Sequence, residues 1–242
     1  MFDLFRGEIY RLLRKKSLYI YFGALAAGYF ALAFIRSGGF KEESVTGDAL
    51  TMFSMLPALA GGVLFTAVYT DDLNSKNLIS LAGFGLSKAT IVIVKFILIT
   101  LFGTAVFGLA PVYHCAVYAV FGRTATAGMA GVICAVSLKH LLATLAFSAV
   151  SGIVVYGFQR ATFAIVSYLL LAFGVIGSLI AVALNTFAPD LVRHLISGVT
   201  DRILADILSG VTPILPLIEY IAYILAAVAL SVVVFSKKEM EF

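Results

Sequence analysis

The chain has 242 residues, 62% of them hydrophobic and 12% charged, with no Trp and a formal net charge of +4; its mean hydropathy is +1.06. Soluble domains are roughly half apolar and about a quarter charged, so this composition excludes an ordinary soluble fold. So small and scattered a charge also excludes a nucleic-acid partner.

The long apolar runs lack the period-two alternation of a membrane barrel, and the spans are therefore helices. A hydrocarbon core about 30 Å thick takes about 20 apolar residues per helix, and this composition suffices for six. The expected fold is an all-α polytopic membrane protein forming one transmembrane domain over 1–242. Residues 2–16 come first. On a helix, Phe2, Phe5, Ile9, Leu12 and Leu13 share one face, while Arg6, Glu8, Arg11, Arg14 and Lys15 face away. This is an amphipathic helix lying in the interface, with Lys16 at its basic end. The basic start and apolar run imitate a signal peptide, but the following run is long enough to span. The first span is expected at 18–35. Within it Gly23, Ala27 and Ala31 form a small-residue stripe, open to a dimer contact or to internal packing.

The second span is expected at 49–70, bent by Pro57, Gly61 and Gly62. A polar stretch from Asp71 to Lys88 follows. The third span is expected at 89–111, with a kink at Pro111 and a break in the region 122–131. Residues 124–158, interrupted by Lys139 and His140, read as an outer-surface segment turning into a fourth span at 141–157, in preference to two short spans that would put the termini on opposite sides. The fifth span, 161–187, contains no charged residue. From Asp190 to Val211, Val192, Leu195, Val199, Ile203 and Ile207 recur at helical spacing against charged neighbours, which predicts an outer amphipathic helix too charged to span. The sixth span is expected at 217–235.

With six spans and both termini inside, Arg36, Lys41, Arg123, Lys139, Arg193 and Arg202 fall outside, and the other eleven of the 17 Lys and Arg fall inside. The bias predicts a plasma-membrane protein with cytoplasmic termini. No phosphate-binding GxxxxGK[ST], HExxH or GxSxG occurs, so no catalytic residue, metal ligand or ATP site is expected in the chain. Cys115 and Cys134 lie in apolar surroundings without metal spacing. Ionisable groups are scarce within the spans: Lys95 lies within snorkelling reach of the inner interface, and Glu219 near the outer end reads as an anchor, with an outer-gate or relay role as the alternative.

The order of parts resembles the six-span permease subunits of ABC transporters, in the exporter class that includes lantibiotic-immunity, bacitracin-resistance and polysaccharide-exporting permeases. The matching pieces are EIYRLLRKKSLYI at the start, DDLNSKNLISLAGFGLSKATIVIVK after span two, the turn at Arg160, the amphipathic helix before span six and the terminal FSKKEMEF. The resemblance implies an elbow helix carrying Arg6, Arg11, Arg14, Lys15 and Lys16. It also implies a coupling helix over Asp71, Asp72, Lys76, Asn77 and Leu81 that docks on a separate ATPase, with helix-breaking Gly83 and Gly85 beyond it. Lys88 stands where many members have Arg. ATP and Mg would sit on two copies of that partner ATPase, this chain being no enzyme, and a second permease, identical or related, would complete the pathway. The abundance of Phe and Tyr favours a hydrophobic or amphipathic cargo such as an antimicrobial peptide or drug. The alternatives are a carrier or channel driven by an ion gradient, tested at Glu219, and an intramembrane enzyme, tested at His140 and His194.

Overall fold

The computed structural model describes residues 2–37, 44–74 and 85–238, and these contain helices and turns but no strand. Helix α1 (Phe2–Leu13) ends three residues short of the expected elbow, because Arg14 and Lys15 make a tight corner and Lys16 already opens α2 (Lys16–Ser37). Leu12 and Glu8 are the buried residues of α1, while Phe2 and Leu13 are exposed. The second span starts with α3 (Ser44–Phe53) and continues as a π-helical turn (Pro57–Gly61), an α-helical turn (Gly62–Phe65), a second π-helical turn (Thr66–Thr70) and a last α-helical turn (Asp71–Asn74). The expected bend at Pro57, Gly61 and Gly62 thus takes the form of a widened helix. A π-helical turn carries one extra residue and leaves its backbone groups imperfectly paired. At the first one, the Tyr168 hydroxyl donates to the Pro57 carbonyl at 2.7 Å. Gly61 makes that approach possible, since a Cβ there would collide with the Tyr168 hydroxyl and lie 2.8 Å from Cγ2 of Thr144.

The next two helices are longer than expected. Helix α4 (Lys88–Val120) and α5 (Ala127–Phe158) have 33 and 32 residues, about 48–50 Å each at 1.5 Å per residue, against a hydrocarbon core of about 30 Å. Both run unbroken, α4 through Pro111 and α5 through Lys139 and His140. Pro111 has no N–H for the Phe107 carbonyl four residues earlier, and such a loss usually bends a helix. Here Ser137 of α5 donates to that carbonyl at 2.6 Å, so the buried acceptor is satisfied and α4 runs on. Lys139 avoids interrupting α5 by reaching sideways to Asp201 at 2.5 Å. The expected break does occur, at residues 121–126, where Thr126 caps α5 by accepting from the Met129 amide at 3.3 Å.

The fifth apolar segment is two helices, α6 (Ala161–Ala172) and α7 (Val175–Phe187), meeting at 57°. Gly174, with φ 74°, supplies the left-handed residue that the corner requires. A 3-10 turn (Pro189–His194) and α8 (Ile196–Leu208) replace the single amphipathic helix expected there. Val199 and Ile203 of α8 are buried against Ala146 and Tyr220, as the periodicity predicts. Helix α9 (Ile214–Lys237) closes the chain, and α5 is the central element, packed against α3, α4, α6, α8 and α9.

Five helical spans are long and apolar enough to cross a membrane, and the bent α6–α7 pair makes a sixth if it counts as one. The chain is therefore an all-α polytopic membrane protein. Its two ends meet at one end of the bundle. Arg11 of α1 pairs with Asp72, and Lys88 at the start of α4 donates to the carbonyls of Ser236 and Lys238 at 3.3 and 2.8 Å.

Candidate functional site

The end of the bundle where the chain termini meet holds a buried ionic cluster. Lys95, two turns into α4, is fully buried, and Glu8 of α1 and Asp72 are 5% and 1% exposed. The Lys95 ammonium lies 2.9 Å from Glu8 Oε2 and pairs also with Asp72 Oδ2. Arg11, whose side chain is one-third exposed, donates from Nε and Nη2 to Glu8 Oε2 at 3.1 and 2.7 Å and lies 3.2 Å from Asp72 Oδ1. Two carboxylates here meet two cations, and three of these four side chains are buried, a burial that such pairing makes tolerable. Lys95 is thus no snorkelling anchor: its stem points into the bundle because its partners lie there.

The four members come from three elements. The helical spacing of α1 puts Glu8 and Arg11 on one side, three residues apart. Asp72 sits just beyond the second π-helical turn, next to the buried Tyr69 and Thr70. Behind it, Tyr156 of α5 packs edge-on against Tyr69 at 6.1 Å between ring centroids and lies tilted against Phe235 at 4.8 Å. The hydroxyls of Thr70, Ser151 and Tyr156 are buried without a hydrogen-bond partner, so this end of the core carries more polarity than its contacts satisfy.

The remaining elbow cations are dispersed. Arg6 is exposed, Arg14 lies over the Tyr10 ring at 4.3 Å from its centroid, Lys15 lines a cavity beside the corner and Lys16 is exposed. Asp71 opens the turn that ends at Asn74, while Lys76, Asn77, Leu81 and Gly83 lie outside the described residues. Gly85 has φ 81°, and Ser87 caps α4 by accepting from the Thr90 amide at 3.1 Å. Lys88 then closes the last carbonyls of α9. The Gly-Leu-Ser-Lys sequence is therefore a turn, a helix cap and a tie between α4 and α9. Gly23, Ala27 and Ala31 lie on an exposed face of α2, and a Cβ at Gly23 would touch nothing within 4 Å. The stripe is not used for internal packing among the described residues.

Two further polar groupings lie toward the opposite end. In the first, Tyr118 donates to Asp48 Oδ2 at 2.7 Å, and its ring stacks on His114 at 4.5 Å. His114 Nε2 donates to the Val45 carbonyl at 3.0 Å, and its Nδ1 accepts from the Tyr29 hydroxyl, so a neutral imidazole satisfies both nitrogens. Asp48 and His114 are buried. In the second, Glu219 accepts from His194 Nδ1 at 2.8 Å and from Arg202 Nη2 at 2.5 Å. It ties the 3-10 turn and α8 to α9. No group of three or more metal-ligating side chains occurs among the described residues. No protein-family model matches the chain, and no curated protein matches it.

The sequence reading missed the partnerships of Glu8, Lys95, Asp48 and His114. One signal was available: a Lys two turns inside a span, a Glu on the elbow and an acidic pair at the span-two exit all fall at one bilayer level once the topology is drawn.

Proposed function

We propose that the chain is the membrane subunit of an ATP-driven transporter of the ABC class, its ATP hydrolysed by a separate cytosolic subunit and its cargo a hydrophobic or amphipathic compound carried outward. The single observation that supports this most is the buried cluster of Glu8, Arg11, Asp72 and Lys95. A membrane subunit driven from outside must pass a force from a loop into its spans. Asp72 belongs to the turn leading into residues 75–84, and its ion pairs tie that turn to α1 and α4. Movement of the loop is then movement of three elements. Asp72 acts in this reading as an internal fastening rather than as a surface contact for the ATPase, leaving docking to Lys76, Asn77 and Leu81. The open face of α2 around Gly23, Ala27 and Ala31 is where a second permease would pack.

The test is reconstitution with the cognate cytosolic ATPase. ATP-dependent movement of cargo across vesicles, with ATPase association lost when residues 75–81 are replaced by a Gly/Ser linker, is the expected result. Association that survives that replacement refutes the coupling assignment. A second reading, a carrier driven by an ion gradient, draws support from the buried carboxylate of Asp48 with its Tyr118 and His114 neighbours, because ionisable groups inside spans commonly mark coupling paths. It predicts nucleotide-independent uptake that Asp48→Asn abolishes.

A further inference from the structure

The charged side chains of α8 and α9 stand deep in the bilayer. Amphipathic α1 marks the level of one membrane interface. It crosses α4 where Phe2 and Phe5 share a cavity wall with Val94 and Ile97 and Glu8 pairs with Lys95. On the neighbouring α5, Ser137 bonds to the Phe107 carbonyl and Leu141 packs over Gly103, so Lys139 stands level with residue 105 of α4. That is ten residues beyond Lys95, about 15 Å along the helix, or half of a hydrocarbon core about 30 Å thick. Helix α9 gives the same depth. Lys88 ties the last carbonyls of α9 to the start of α4. Glu219 precedes Ser236 by 17 residues, about 26 Å, and Lys95 follows Lys88 by about 11 Å, so Glu219 also stands about 15 Å beyond α1.

Five ionisable side chains meet at this depth: Lys139 pairs with Asp201, and Glu219 with Arg202 and His194. Each keeps part of its surface open after pairing, from 23% at Glu219 to 59% at Asp201. Exposed charges at mid-bilayer are costly against lipid chains. Each here already has its partner, so a dry protein surface laid over them would desolvate them without adding a counter-charge. Water is the medium that fits, and the fold supplies its route. Helices α4 and α9 have 33 and 24 residues and share one level at the Lys88 tie, so α9 stops about 13 Å lower at its other end. Ser209, Gly210, Val211 and Thr212 at that sunken α8–α9 corner are exposed.

We propose that the face formed by α5, α8 and α9 lines an aqueous chamber, open on the side of the membrane away from α1, whose floor is the layer of Lys139, Asp201, Arg202, His194 and Glu219. Water-soluble ions and the polar end of an amphipathic molecule reach that floor without crossing hydrocarbon. The barrier to transport is then confined to the half of the bilayer nearer α1. The inference requires only membrane embedding and is independent of the energy source.

Two exposed alanines at nearly one height provide the test. In a background carrying Cys115→Ala and Cys134→Ala, Ala205→Cys lies on α8 one turn beyond Asp201, and Ala105→Cys lies on α4 level with Lys139, between the exposed Leu101 and Leu109. In nanodiscs a charged methanethiosulfonate should modify Ala205→Cys about 100-fold faster than Ala105→Cys, because only a hydrated thiol ionises readily to the reactive thiolate. Nitroxides attached at the same two sites then identify the medium. The label at 205 should be relaxed more strongly by a water-soluble nickel chelate than by oxygen, and the label at 105 the reverse. A preference for oxygen at 205 means lipid, and protection from both relaxants means a second protein. Either result overturns the proposal, as does equal modification of the two cysteines.

Discussion

Replacing Lys95 with Met keeps the length and apolar character of the stem and deletes one charge. The structure then holds the carboxylates of Glu8 and Asp72, both nine-tenths or more buried, beside Arg11, which is one-third exposed, and without the buried ammonium between them. Removing one partner of a buried pair costs about 3–5 kcal/mol, because the remaining charge stays desolvated and uncompensated. At about 2–4 °C per kcal/mol for a chain of this size, the thermal midpoint in nanodiscs, followed by circular dichroism, should fall by about 6–20 °C. A companion variant isolates the cause. Glu8→Gln and Asp72→Asn added to Lys95→Met remove the orphaned charges as well, and most of the loss should be recovered. A midpoint for Lys95→Met within 1 °C of the parent, the behaviour of an exposed or snorkelling lysine, would refute the reasoning, as would a triple variant no more stable than the single one.

Tyr168→Phe removes the hydroxyl that satisfies the buried Pro57 carbonyl and should cost about 1–3 kcal/mol in the same assay. Tyr156→Phe deletes a buried hydroxyl that has no partner, so stability should be unchanged or rise by about 1 kcal/mol. Ser137→Ala strips the Phe107 carbonyl of the donor that stands in for the missing Pro111 amide; the bend of α4 should then increase, read as a changed distance between spin labels at its two ends. Glu219→Gln weakens the ties to His194 and Arg202. Amide exchange should quicken across residues 189–208 and stay unchanged in α5, measured by hydrogen–deuterium exchange.

Periodicity and composition made the helical class, the amphipathic α1 and the buried stripe of α8 legible, because each depends on where a residue falls around its own helix. The contacts that meet Pro111 and Lys139 were not legible, because each depends on a distant side chain. Ser137 lies 26 residues beyond Pro111, and Asp201 is farther still from Lys139, so no window of sequence contains both halves of either interaction. The ionic cluster was hidden in the same way. Glu8, Asp72 and Lys95 looked like three separate interfacial charges, and their mutual neutralisation exists only once α1 folds back against α4. The bend at Gly174 had a visible residue but no visible consequence, since a Gly in an apolar run also suits a straight span.

The two π-helical turns of the second span give it a property that a regular helix lacks. Each holds one residue more than an α-helical turn, so tightening either into α geometry would screw everything below it by about 100° and displace it by about 1.5 Å. Asp72 stands two residues past the end of the second such turn, close enough to be carried around the axis almost as a rigid pointer. One re-threading step would swing its carboxylate away from Lys95 and Arg11 and reshape the face of the span at Leu59 and Thr66. A single peptide's worth of slack would thus convert an axial displacement at Asp72 into rotation within the bundle, like the play between a nut and its bolt.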